Sequence, residues 1–519
     1  MKKRTLLVVG SLALLIAVPA WAQETTTDPV EEGAALTAVD DLKQADVEHL
    51  VHHMDSMSQD EALSLLNFLR TLGLVVFTTP FNTFDGLGDG PFIEDDPEIP
   101  PTDLGKRPTL QGNGIYLRIN GLDSRSCNEC HSLISNFTLP PQLGIGGAGT
   151  VSQSAFPAGT LLDIADTFDD RIRYMPDHDP DLLLKFDGVA DYNGRFINPP
   201  FLFGGGGVEL VAKEMTHDLQ AILEHARHGE PGEIFVLETH GTKFGYIVAL
   251  GYHHQVELHL DGIGLNDPPD LSDEKQLVVR PFGRKGDAFS MRDFDRGAMQ
   301  FHFGIQPTEV VGFDKDADQD GVVNEIRDVE MTVLHIFDVT NPPPFMKPLD
   351  YNAQIGYERF LEIGCSSCHR PQTATYGRRV PLAFREDETD PWANVYLEID
   401  LTRFGFAPDP LGTGVIVPMF SDLKRHDMGP ELAETCEACK KVPNEDFITA
   451  RLWGIADTGA YLHDGRATTL RQAIEAHGGE AEEVKRAFKE DLTPLDQRRL
   501  IHFLRQLRTP EHPNEDILP

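Results

Sequence analysis

Cys127-Asn-Glu-Cys130-His131 and Cys365-Ser-Ser-Cys368-His369 are one pentad written twice, and their spacing governs how the rest of the chain is read. Two thiols on one turn can form thioethers to the vinyl groups of a haem, and the histidine that follows directly then lies under the ring as the proximal iron ligand. A zinc knuckle would need four clustered nitrogen or sulfur ligands, but the two pairs lie far apart. A redox dithiol has no use for a histidine after each pair. The chain therefore reads as a c-type cytochrome with haem c attached at Cys127, Cys130 and His131 and again at Cys365, Cys368 and His369.

All six cysteines fall in such pairs, leaving none for long-range disulfides. The third pair, Cys436-Glu-Ala-Cys439-Lys440, ends in lysine. Two readings stand. The preferred one is a local disulfide clipping a surface loop in an oxidising compartment. The other is a third haem with Lys440 as ligand, since lysine replaces histidine at the catalytic haem of one multihaem nitrite reductase family.

Met1–Ala22 has the features of a secretory signal peptide: Lys2, Lys3 and Arg4, an apolar stretch over residues 6–17, and Ala20-Trp21-Ala22 as a small-x-small cleavage site. No later segment is expected to cross a bilayer, so the mature chain should be exported to a bacterial periplasm without a membrane span. A net charge of −38 argues against nucleic acid or an anionic membrane as partner. It suits a basic electron donor, a cytochrome or cupredoxin, although a solvated acidic surface is the plainer explanation.

Residues 23–40 are polar and acidic and read as a tail. Leu42, Val47, Leu50 and Val51, then Leu63, Leu66, Phe68 and Leu69 after Ser58, predict a helical pair. Phe77–Pro108, rich in Gly, Pro and Asp, reads as an extended wrapping segment. Between the pentads the chain shows few helical patterns. Gly204–Gly207 lacks the Gly-Lys-Ser/Thr of a phosphate loop and reads as a plain loop or as flexible backbone near a haem edge. Asn341-Pro342-Pro343-Pro344 reads as a linker. Gly356, Phe360 and Cys365 suggest a helix running into the second pentad, and Pro494–Arg508 a closing helix with an apolar stripe. The segments are thus 1–22 leader, 23–103 tail, helical pair and wrap, 104–343 around the first haem, and 344–519 around the second.

What fills the sixth iron position separates electron transfer from reaction. For the second haem Met428 follows His369 at an interval resembling that of small cytochromes c, with His426, Met419 and His463 as rivals. For the first, Met175, His178, Met215 and His217 are candidates, and an open site fits the lack of any nearby histidine. Asp316-Ala-Asp318-Gln-Asp320-Gly321-Val-Val-Asn324 follows a calcium-loop pattern, with acidic groups at alternate positions before a glycine. Asp316, Asp318, Asp320 and Asn324 are the candidate Ca2+ ligands. Arg327 stands at position 12, with Glu325 and Asp328 as substitutes.

Residues 451–466, Arg-Leu-Trp-Gly-Ile-Ala-Asp-Thr-Gly-Ala-Tyr-Leu-His-Asp-Gly-Arg, followed by Thr469-Leu470, Ala473-Ile474 and His477-Gly-Gly-Glu-Ala481, resemble the signature of bacterial di-haem oxidoreductases. These are relatives of the di-haem cytochrome c peroxidases and of the di-haem enzyme that matures methylamine dehydrogenase. His426-Asp-Met-Gly429 is similar to them too. The resemblance implies a mainly α fold of two cytochrome c-like haem domains with long irregular insertions and an N-terminal helical segment. It implies hydrogen peroxide reduction at the N-terminal haem with electrons relayed by the C-terminal one. Glu209, in a glycine-then-glutamate stretch like the family's, would be the distal acid with a raised pKa, and Glu214 the second choice. The family's distal histidine after the first motif is missing. Trp453 could lie on an electron path, although packing is the commoner role of such a residue. The alternatives are a pure electron carrier, an oxygen-using or protein-modifying di-haem oxidase, or a calcium-stabilised subunit of a larger complex. Neither a dinucleotide-binding site nor a hydrolase nucleophile elbow is present.

Overall fold

The computed structural model describes residues 42–82, 84–87, 126–129, 131, 199–200, 202–251, 254–265, 274–317, 321–434 and 442–517. The leader, the acidic tail, most of the wrapping segment, Cys130, Met175, His178, Asp318, Asp320, Cys436, Cys439 and Lys440 lie outside them.

The helical pair forms where the apolar spacing puts it, as α1 (Gln44–His52) and α2 (Gln59–Thr78). Ser58 Oγ accepts the Glu61 N–H at 3.3 Å and Glu61 Oε2 accepts the Ser58 N–H at 3.0 Å, a reciprocal cap that fixes the start of α2. α2 is itself long and apolar enough to cross a membrane, which corrects the expectation that no later segment is. Its packing is that of a core helix. Leu66, Leu69, Val76 and Phe77 are buried, and Arg70 in mid-helix is only 2 % exposed, donating to Thr340 Oγ1 at 3.0 Å and paired with Asp516.

The expected mainly α fold is not what the chain adopts. Among the described residues five small antiparallel sheets accompany the helices, so the fold is mixed α/β. β1 (Ile234–Thr239), β2 (Thr242–Ala249) and β3 (Val256–Leu260) form a meander in the stretch that showed no helical pattern. Its first turn, His240-Gly241, has φ of 46° and 73°, the geometry whose twist matches paired strands. Leu237, Phe244 and Ile247 face the core while Val236 and Tyr246 are exposed. Strands also occupy the second half. β4 (Phe345–Met346) pairs with β12 (Leu507–Arg508), and β5 (Thr373–Ala374) and β8 (Ala407–Pro408) flank β9 (Val415–Val417). β6 (Arg379–Ala383) pairs with β7 (Val395–Asp400), and β10 (Arg425–Asp427) with β11 (Asp446–Ile448).

The main core gathers α3 (Gly205–Ala226), α4 (Met291–Ala298), α5 (Asp328–Val339) and residues from β6 and β9, so both sides of the proline stretch share one interior. That stretch is not a loose linker: Asn341 O accepts the Gly204 N–H at 3.2 Å and Asn341 Oδ1 accepts from Asn514 Nδ2 at 2.7 Å. Nor is the glycine run a loop. Gly204, at φ 80°, caps α3, and Gly205–Gly207 form its first turn because any side chain would collide, a Cβ on Gly206 falling 2.2 Å from Val339 O. A smaller second core lies between α6 (Tyr351–Glu362) and α8 (Pro494–Leu504), beside α7 (Leu470–Ala476). Phe360 and Phe503 meet there with ring centres 5.4 Å apart. α8 stops short of Arg508 because residues 507–508 leave to pair with β4.

Candidate cofactor sites

α6 delivers the second pentad. It ends at Glu362, Gly364 reverses the chain at φ 95°, and Cys365–Ser367 form a 3-10 turn, so Cys365 does not lie on α6 itself. Cys127–Glu129 form the same kind of turn. In both pentads the histidine N–H donates to the carbonyl of the first cysteine at 2.9 Å.

Both imidazoles are then held from behind. His131 Nδ1 donates to Pro200 O at 2.6 Å, and His369 Nδ1 donates to Phe420 O at 3.2 Å and Ala450 O at 3.1 Å. Carbonyls only accept, so each ring carries its proton on Nδ1 and keeps Nε2 as the basic nitrogen, the tautomer an iron ligand needs. Phe420 adopts φ 53° to aim its carbonyl, a costly conformation for an aromatic residue. Burial, and then the neighbouring His477, lower the His369 pKa to about 4, so the ring is neutral at ordinary pH. Cys365 and Cys368 are half-buried free thiols, and burial pushes that of Cys365 up to about 12. Thiols beside an imidazole backed by carbonyls fit covalently attached haem, with His131 and His369 as the residues that would ligate its iron.

One short stretch touches both sites. Ala450 O backs His369, while Arg451 lines a cavity with Pro200, Phe203 and Phe294. The Phe294 ring stands edge-on to His131 with centres 6.5 Å apart. Trp453, 2 % exposed, packs against Gly204, where a Cβ would fall 2.5 Å from the indole. Arg451 has no carboxylate partner among the described residues; it donates to Pro281 O at 3.1 Å, and desolvation lowers its pKa to about 10.

Glu209 is fully buried on α3 but is not the raised-pKa acid expected. Lys213 Nζ donates to its Oε1 at 2.6 Å, the Met291 N–H donates to Oε2 at 2.8 Å, and His335 Nε2 lies 3.2 Å from Oε2. Burial pushes the carboxyl up, but Lys213 and then His335 outweigh it and bring it to about 2. Glu209, His335 and Glu386 place ligand atoms within 4.8 Å of one another, yet the Lys213 ammonium, 3.4 Å from Glu386 Oε1, makes this an ion-pair cluster rather than a metal cage. Glu214 accepts the N–H groups of Tyr376 at 2.9 Å and Gly377 at 3.0 Å and anchors that loop. The proton-holding carboxyls are Asp295 and Asp338, which no pattern in the sequence announces. Both are buried, and burial foremost pushes each well above the usual carboxyl range, with the Asp338 charge adding at Asp295 and Glu209 opposing ionisation of both. Asp295 directly follows Phe294.

The sixth-ligand candidates scatter. Met215 and Met419 are sealed in the main core, and His217 packs edge-on to Trp392. His463 stacks on Phe447 with ring centres 4.4 Å apart. His426 has Nδ1 2.8 Å from Glu480 Oε2 and Nε2 3.0 Å from Asp422 Oδ2. Burial lowers its pKa, but Asp422 and Cys368 raise it to about 11, and each of its ring nitrogens faces a carboxylate. Met428 is half-buried and its N–H donates to Glu445 O at 2.9 Å. His477, capping the end of α7, lies with its ring centre 6.4 Å from that of His369.

In the acidic loop, Asp316 Oδ2 accepts the Gly321 N–H at 3.1 Å while its Oδ1 is buried with no hydrogen-bond partner among the described residues. Asn324 Nδ2 donates to Asp314 Oδ1 at 2.9 Å, Glu325 turns inward to accept the Gln306 N–H at 2.8 Å, and Asp328 accepts from Thr308.

Residues 411–507 match the protein family described as "Di-haem oxidoreductase, putative peroxidase". Among solved structures the chain is similar to hydrazine synthase of Kuenenia stuttgartiensis, pressurised with 20 bar xenon, at 15 % identity and a TM-score of 0.25, over 54 % of this chain and 78 % of that one. It is also similar to a MauG-like protein associated with microbial copper homeostasis, at 16 % identity and a TM-score of 0.22, over 59 % of this chain and 89 % of that one. No curated protein matches the chain.

Proposed function

We propose that this chain, whose residues 411–507 match the di-haem oxidoreductase family, is an exported c-type oxidoreductase that reduces hydrogen peroxide at its His131 site and accepts electrons at its His369 site. One observation supports this above the others: Ala450 O backs His369 while Arg451 lines a cavity with Pro200, whose carbonyl backs His131, so one short stretch joins the surroundings of the two histidines. Bound haem would supply the redox chemistry, one-electron storage at one site and reduction of an oxidant at the other.

The rest falls to the protein. Pro200 O at one site, and Phe420 O and Ala450 O at the other, orient the imidazoles and make their Nε2 atoms better donors. Arg451 offers its charge to an anionic edge, and Phe203 and Phe294 exclude water beside it. Asp295 and Asp338 keep a proton in the wall next to Phe294. Met1–Ala22 supports a periplasmic location, and a net charge of −38 favours a basic cytochrome or cupredoxin as donor. The partnerless Asp316 Oδ1 supports calcium at the 316–324 loop.

The test is a haem count by pyridine haemochrome, peptide masses across both pentads, and peroxide consumption with a reduced basic donor. Two covalent haems and saturable peroxide turnover are expected. A fully loaded protein that leaves peroxide untouched would overturn the peroxidase reading in favour of an electron carrier.

A further inference from the structure

His477-Gly478-Gly479-Glu480 has no part in the chemistry described so far, yet it is held with unusual tightness. A Cβ on Gly478 would fall 2.9 Å from Met428 O, and one on Gly479, at φ 53°, 2.2 Å from Asp427 O. Glu480 Oε1 accepts the Asp427 N–H at 3.0 Å, and Oε2 lies 2.8 Å from His426 Nδ1. The two glycines let the loop lie directly on β10, and Glu480 locks it there. His477 is thereby fixed at its backbone. Its ring is fixed as well, because Nδ1 donates to Ala473 O, one turn back on α7, at 2.7 Å.

His369 is pinned in the same manner through its own Nδ1. Neither Nε2 has a hydrogen-bond partner among the described residues, so each ring keeps one unused basic nitrogen. An imidazole nitrogen binds a first-row metal at about 2 Å, so two rings sharing one ion put their centres roughly 6 Å apart. The observed separation is 6.4 Å, with the ring planes 59° apart. A hydrophobic contact between the histidines would not need both Nδ1 protons tied to carbonyls and both remaining nitrogens left over.

We propose that His477 is the sixth ligand of the iron held by His369, which makes the C-terminal site a bis-imidazole haem closed on both faces. This rests on the reading that Cys365, Cys368 and His369 carry haem. It gives the His-Gly-Gly-Glu sequence a division of labour: His477 ligates, the glycines allow close approach, and Glu480 anchors. It also removes the C-terminal iron from contact with any oxidant, leaving the His131 site to meet it. Because a thioether ligand raises a haem potential relative to a second imidazole, this site is expected to be the lower-potential kind.

The experiment uses the full-length holoprotein. Wild-type ferric protein should show a low-spin bis-imidazole EPR and near-infrared signature at one haem and no far-red thioether-to-iron charge-transfer band. His477→Ala should convert that one haem to high spin, with added imidazole restoring the low-spin signal, while Met428→Leu leaves it unchanged. His477→Met, at the same backbone position, should introduce the thioether band and raise the midpoint potential of that haem. Haem content by pyridine haemochrome separates the two levels: loss of all covalent haem at Cys365 and Cys368 in wild-type protein defeats the haem reading itself. A thioether band already present in wild type, or a low-spin signal that survives His477→Ala with haem retained, overturns the assignment of His477 alone.

Discussion

Lys213 and Asp338 show how differently two buried ionisable groups can be managed. Lys213 neutralises Glu209 at 2.6 Å, and both are essentially without solvent contact. Lys213→Met should therefore destabilise the holoprotein by about 3–5 kcal/mol, the usual cost of stranding a buried charge. Adding Glu209→Gln should recover much of that, as urea midpoints would register. The pH dependence follows from the direction of the Glu209 shift. Its folded pKa of about 2 lies below the ordinary 4.5, so the folded state binds fewer protons between those values. Its contribution is complete above that window and is lost as the pH falls through it. Asp295 and Asp338 carry the opposite sign: their raised pKa values mean that the folded state holds protons the unfolded chain has released, so stability declines as pH rises above the ordinary carboxyl range. Asp338→Asn should flatten that decline and raise the neutral-pH melting temperature. None of this was legible from the residues alone. Glu209 was found by its place after a glycine run, but the sign of its shift depends on Lys213 and His335, the latter reached only through the packing of α5 on α3.

Among the secondary elements, those the sequence announces best are those with a period and a cap. α1, α2 and α8 follow from apolar spacing, with Ser58 marking the start of α2; the structure adds Thr493 as the cap of α8. The strands are hard to read in the sequence because two to eight residues of alternating burial leave no helical period, and the two cytochrome motifs favour a mainly α expectation. Without the Gly-Lys-Ser/Thr of a phosphate loop the glycine run reads as a plain loop or flexible backbone, and glycine disfavours helices; close packing on α5 reverses that preference, as the 2.2 Å approach to Val339 O shows. Two tests belong to this scale. Gly204→Val should push Trp453 off its seat and perturb the optical spectra of both haems, whereas a substitution at an exposed site such as Leu411 should perturb neither. In the second core Phe503, with no exposed surface, is expected to cost about 3–5 kcal/mol on truncation to alanine, read by thermal or urea denaturation of the loaded protein.

For the whole molecule, a net charge of −38 predicts how the protein meets its donor. If that donor is basic, the second-order rate of electron uptake should fall steeply as salt is raised, since screening shortens to about 10 Å at 0.1 M; a rate independent of ionic strength would point to a neutral donor. The pentads were plain in the sequence because covalent attachment demands adjacent residues. The wall between them was not, because it is assembled from Pro200, Phe294 and the 450–453 stretch, which are distant in the chain. That wall bears on biogenesis. If the first pentad carries haem, its residues are made long before Arg451 and Trp453, so a group attached early would sit in a nest still missing one side. Cutting the gene at the triple proline would then yield no independent halves: the leading fragment would keep its porphyrin on an unbacked, solvent-open shelf, and supplying the trailing fragment should be what closes it.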